Sequence, residues 1–94
     1  MSQDLTPETV LAQNEAMLFS DVGDGTALMD IDRGEYFHYE LVGSRIWELI
    51  DGNRDVEGIV ALLLEEYDVD PDTCRTQTNA FLSRLLELNH AQRV

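Results

Sequence analysis

The sequence predicts an α+β fold: a three-stranded antiparallel sheet followed by three helices. Three observations carry this reading. Residues 15–40 hold three short β-favouring runs separated by turn formers. From residue 41 the apolar residues change to helical spacing. Two acid-led restarts, at Asp55 and at Asp70-Pro71-Asp72, then divide the helical part into three.

Residues 1–14 read as a loose lead-in. Asp4, Thr6, Pro7, Glu8 and Asn14 are turn or cap types, with Val10 and Leu11 as anchors. Residues 15–94 read as a single domain. Ala16–Phe19 is the first strand run, and Asp21-Val22-Gly23-Asp24-Gly25 is a turn-rich link. Thr26–Ile31 is the second run, and Asp32-Arg33-Gly34 is a hairpin-like turn. Glu35–Glu40 is the third run, in which alternation predicts Phe37 and Tyr39 facing inward.

The first helix is carried by Val42, Ile46, Leu49 and Ile50, with Trp47 beside them. Asp51-Gly52-Asn53 is expected to stop it. Asp55 caps the second, whose Val56, Ile59, Val60 and Leu63 form a buried stripe that Tyr67 closes. The third is expected from Pro71 to about Asn89. Its residues Cys74, Thr78, Phe81, Leu85 and Leu88 point to the core. Beside them runs a second row, Arg75, Asn79, Leu82 and Leu86. Such a row either widens the buried stripe or lines a groove, and spacing does not choose between the two.

Composition excludes several roles. The chain has 94 residues, 19 acids and 6 bases, for a net charge of −13. All the bases are arginine. Hydrophobic residues make up 44%, so the acidity is not the signature of disorder. Nucleic-acid binding needs clustered Lys and Arg, and so does a polybasic membrane-surface module. No apolar run approaches a membrane span, and the N-terminus lacks the layout of a signal peptide. One cysteine, Cys74, forms no internal disulfide, and the expected location is cytoplasmic.

Catalytic and metal chemistry is not written in the chain either. Asp68-Val69-Asp70-Pro71-Asp72 imitates the start of a calcium loop. Thr73 stands where glycine is needed and Asn79 where glutamate is needed, so helix capping explains it better. His38 and His90 lack ligand-spaced partners and read as structural or surface residues. Gly23-Asp24-Gly25 lacks the third glycine of a dinucleotide loop. Cys74 reads as a small core residue. The expectation is a non-enzyme with no cofactor and no metal.

The stretch Asp30-Ile-Asp-Arg-Gly34-Glu-Tyr36-Phe37, followed by Val42-Gly43-Ser-Arg-Ile46-Trp47 and Asp51-Gly52, resembles the PqqD-like family. So do Asp55-Val56, Ile59-Val60, Glu66-Tyr67-Asp68-Val69-Asp70-Pro71, Phe81-Leu82 and Leu85, in that order. The resemblance covers roughly residues 15–88. It departs at Tyr39-Glu40, where the family usually has Leu-Asn, and at Asn89-His90-Ala91, where it has a Gly-Leu-hydrophobic closure.

The resemblance implies a winged-helix-like fold that recognises ribosomally made, modified peptides. The leader segment of a precursor would add a strand to the third strand, Glu35, Tyr36, Phe37, His38 and Tyr39. Its side chains would fall against the third helix, where Arg75, Asn79, Leu82 and Leu86 would form the wall. The protein would then present the precursor to a modifying enzyme. The lasso-peptide setting is favoured, with a leader protease and a macrolactam synthetase as partners. The alternative is a pyrroloquinoline quinone-type chaperone for a radical SAM enzyme. A winged-helix DNA-binding regulator shares the order of elements, but the charge disfavours it. The exposed edge strand is equally able to pair with a second copy as a homodimer.

The charge is unevenly placed. Residues 1–40 carry nine acids and one arginine, and residues 48–72 carry the same. Residues 73–94 carry one acid, Glu87, against Arg75, Arg84 and Arg93. An acidic leader side chain is therefore expected to be read by Arg75 or Arg84.

Overall fold

A computed structural model describes residues 5–94; Asp4 and the rest of the first four residues lie outside it. The elements run β1 (Val10–Gln13), β2 (Met17–Asp21), β3 (Gly25–Asp30), β4 (Glu35–Glu40), α1 (Leu41–Leu49), β5 (Asp51–Asp55), α2 (Val56–Glu66), α3 (Pro71–Glu87) and β6 (Ala91–Arg93). Antiparallel strands followed by three helices are what the sequence predicts. The second sheet is not.

β2, β3 and β4 form the expected meander, in that spatial order. Phe19, Leu28 and Phe37 stand opposite one another on one face, and Leu18, Met29 and Tyr36 on the other. The β3–β4 turn is closed by Asp30, whose carboxylate accepts from the Arg33 N–H at 3.2 Å. Gly34 follows at φ 66°, a conformation that glycine adopts without strain. β4 passes into α1 without a loop, and no side chain caps the helix.

Residues 10–13, expected to belong to a loose lead-in, are instead the central strand of a second sheet, β5–β1–β6. Asp51-Gly52-Asn53 ends α1 as expected, yet it is strand rather than turn. Ala12 pairs with Asp51, and Leu11 with Arg93. Propensity favours a turn in this polar run, but backbone pairing across some forty residues overrides it. Further bonds anchor the strand. The Val56 N–H donates to the Thr9 carbonyl at 2.9 Å, and the Gln13 amide donates to the Trp47 carbonyl at 2.8 Å.

The helix boundaries follow their caps. Asp55 accepts from the Gly58 N–H at 2.8 Å, and Asp70 from the Thr73 N–H at 3.0 Å ahead of Pro71. α3 stops two residues short of the expected end. Asn89 takes φ 64°, while the His90 N–H reaches the Leu85 carbonyl and the Asn89 N–H the Leu86 carbonyl. This left-handed closure does the work of the missing glycine. It turns His90 inward and sends Ala91–Arg93 onto β1.

The core lies between the inner face of the meander and the three helices. Leu28, Ile46, Trp47, Ile59, Leu63, Leu82 and Leu85 are at its centre. Phe37 and Tyr39 pack against it from β4, as alternation predicts.

Candidate functional site

β4 pairs with β3 along one side only, and its other side has no strand neighbour among the described residues. That leaves a row of N–H and C=O groups able to accept a further strand. Glu35, Tyr36 and His38 are exposed. Tyr36 and His38 project from the outer face, while Phe37 and Tyr39 project toward the helices.

α3 runs beside this edge. The Tyr39 and Phe81 rings meet edge to face, 5.0 Å between centroids, and Phe37 meets His90 at 4.4 Å. The start of α1 closes in at Gly43. A Cβ there would stand 3.4 Å from the Phe81 ring, so a larger residue would crowd it. Phe81 and Gly43 also line an apolar cavity of about 220 Å³, which continues to Val42, Val69 and Thr78. An edge strand, an aromatic floor and an adjoining apolar hollow form a groove suited to an extended peptide.

The flank of α3 that meets β4 carries Gln77, Phe81, Arg84 and Leu88. The row expected to form the wall lies elsewhere. Leu82 is 0% exposed, so it belongs to the core and touches no groove. Arg75 points to α2, where it donates to Glu57 at 3.0 Å. At 100° per residue, Asn79 and Leu86 share the Arg75 flank, away from β4. Phe81 and Leu88 were expected to point to the core; both are partly exposed, and Phe81 lies against Tyr39. The overlooked signal is a phenylalanine set between the polar Gln77 and Arg84 on one flank of the helix.

Arg84 fits the expected charge reader better than Arg75. Arg33, Arg45, Arg54 and Arg75 each lie within 4.0 Å of a carboxylate. Arg84 is exposed and makes no such ion pair among the described residues. It is close enough to act on Tyr39. Burial raises the phenol above its ordinary pKa of 10.0, and the Arg84 guanidinium pulls it the other way.

His90 is fully buried against Phe37 and the Tyr39 hydroxyl rather than on the surface. Its Nδ1 stands 3.2 Å from the Tyr39 hydroxyl, and its Nε2 has no partner. Burial lowers its pKa below the ordinary 6.5; Asp30 and Glu35 oppose this and Arg33 adds to it. The unfolded chain therefore takes up a proton that the folded chain resists. Stability is full above pH 6.5 and is lost as pH falls through that value toward the lower folded one. The melting midpoint is expected to fall between pH 7.5 and 5.5, and a His90→Leu variant is expected to flatten that slope.

Among the described residues no three His, Cys, Asp or Glu side chains are grouped to hold a metal. None of the described helices is long and apolar enough to cross a membrane.

The chain was compared with known proteins. The family model for coenzyme PQQ synthesis protein D (PqqD) matches residues 25–90. No curated protein matches. Among solved structures, "TbiB1 in Complex with the TbiA(beta) Leader Peptide" is 30% identical at a TM-score of 0.79, covering 86% of this chain and 94% of that one. "Lasso peptide synthetase B1 complexed with the leader peptide" has the same fold at 18% identity and a TM-score of 0.79, covering 87% and 96%. The family match spans more than half the sequence, and the α+β fold is that of TbiB1: the chain belongs to the PqqD family.

Proposed function

We propose that this protein captures the leader segment of a ribosomally made precursor peptide and presents it to a leader protease and a macrolactam synthetase. The observation that carries the reading is the open side of β4 lying against the Phe81 flank of α3. The similarity to TbiB1, whose structure holds a leader peptide, supports it. The peptide adds an antiparallel strand beside Glu35–Tyr39. Backbone bonds to β4 supply affinity, and alternate side chains drop toward Phe37, Tyr39, Phe81 and Leu88. Arg84 meets an acidic residue of the leader. Arg75, Asn79, Leu82 and Leu86 take no part. Without a Lys/Arg face on any helix, the DNA-binding alternative has no physical support.

The test is a titration of the purified protein with its labelled cognate leader. Saturable binding is expected, and its absence at high micromolar concentration overturns the reading. Arg84→Glu is expected to weaken an acid-containing leader about tenfold or more, the scale of one charged hydrogen bond. Arg75→Glu is expected to leave it unchanged.

A further inference from the structure

The Tyr39 side chain lies along the α3 flank that meets β4. A Cβ on Gly43 would stand 3.5 Å from its own Cβ. Its ring meets Phe81 edge to face at 5.0 Å, and its hydroxyl ends 3.2 Å from the His90 Nδ1. The side chain is thus directed from the start of α1 toward the C-terminal end of α3. Arg84 stands one turn beyond Phe81 on the same flank, and its guanidinium acts on the phenol. Tyr39 and His90 also lie in the two segments where the sequence departs from the family pattern, so that pattern does not account for their contact.

The direction of the Tyr39–His90 hydrogen bond follows from burial. His90 is 0% exposed, and its Nε2 has no partner. Burial lowers its pKa, so the ring is neutral near pH 7 and carries a single N–H. A proton on Nε2 would be an orphaned buried donor; such donors are rare, and under-satisfied acceptors less so. The proton therefore belongs on Nδ1, which donates to the Tyr39 oxygen. The hydroxyl's own proton is left uncommitted, since Tyr39 makes no other side-chain hydrogen bond among the described residues.

We infer that the Tyr39 hydroxyl and the Arg84 guanidinium form a two-point clamp for one carboxylate of the bound leader, with His90 as the positioning residue that turns the hydroxyl proton outward. The inference rests on the peptide-capture reading and names the residue class read at this point of the groove: Asp or Glu, in preference to Asn or Gln. A carboxylate accepts at both oxygens and offers no donor, so it satisfies hydroxyl and guanidinium together. An amide would turn its N–H groups against two donors.

The test is a set of double-mutant cycles on the full chain and its labelled cognate leader. Each Asp or Glu of the leader is changed in turn to Asn or Gln. One acid is expected to couple to both residues of the clamp. Against the native leader, Tyr39→Phe keeps the ring on Phe81 and is expected to weaken binding about tenfold, the scale of one hydrogen bond to a charged group. Against the leader lacking that acid, the same variant is expected to change Kd by no more than about twofold. Arg84→Gln is expected to behave alike. His90→Leu is expected to reproduce the Tyr39→Phe loss, and His90→Asn, whose amide returns a donor near Nδ1, to restore much of the affinity. A residue that merely supported the fold would weaken both leaders equally. Tyr36→Phe, on the outer face, is the control and is expected to show no coupling. The inference is overturned if no acid of the leader couples to Tyr39, or if the acid that couples to Arg84 is indifferent to Tyr39→Phe. Absence of saturable binding by the wild type removes the capture reading and this inference with it; retained binding without coupling removes the inference alone.

Discussion

A leader peptide N-methylated at one backbone position at a time is expected to lose affinity with a two-residue alternation. In an antiparallel pair, every second residue of a strand points its N–H and C=O at its neighbour and the next points them away. Methylation of an inward N–H removes a donor and puts a methyl group into a gap of about 4.8 Å between strands. It also strands a carbonyl of β4. The loss is about 1–3 kcal/mol, or roughly 5- to 150-fold in Kd. Methylation at the intervening positions leaves binding near wild type. Calorimetry on a methylation series reads the pattern without altering the protein, so misfolding cannot imitate it. A uniform loss, or none, would mean that the peptide lies in the groove without joining the sheet.

The largest stability effect is expected at Trp47. Its side chain is 1% exposed, and the Phe19 ring meets it edge to face at 5.5 Å. Trp47→Ala leaves a large cavity and costs about 3–5 kcal/mol. Domains of this size are stabilised by about 5–15 kcal/mol in total. The melting midpoint is therefore expected to fall by about 12 °C or more, as followed by circular dichroism. Trp47→Phe is a sharper probe. The indole Nε1 is buried without a partner, so the replacement breaks no hydrogen bond and removes an uncompensated donor. It is expected to cost less than half as much. Equal losses would show that the indole N–H is bonded in solution.

The meander and the three helices were legible because each is written locally. Turn formers separate the strands, and Asp55 and Asp70 start helices with their own side chains. β1, β5 and β6 were not legible, because nothing in Asp51–Asp55 favours a strand until Val10–Gln13 lies beside it. The groove was half legible. Glu35–Tyr39 reads as a strand from its own residues, and its free edge is what the family resemblance implies. The periodicity of α3 yields two flanks, but only tertiary packing decides which one meets β4. Phe81 against Tyr39 and Arg75 against Glu57 make that choice. For His90 the sequence left a structural and a surface role open, and the backbone turn at Asn89 decides for the structural one.

The β1–β6 pair also determines how the molecule yields to force. Val94 donates to the Val10 carbonyl at 3.0 Å, so both outer ends of this pair sit at the same margin of the sheet. A pull applied at those ends acts across the strands and loads one hydrogen bond at a time. The pair unzips instead of shearing. Once β6 is peeled away, the tether below His90 is gone, and the groove floor loosens with it. A pull across β1 and β6 would thus meet its weakest mechanical resistance first, and would loosen the candidate groove early.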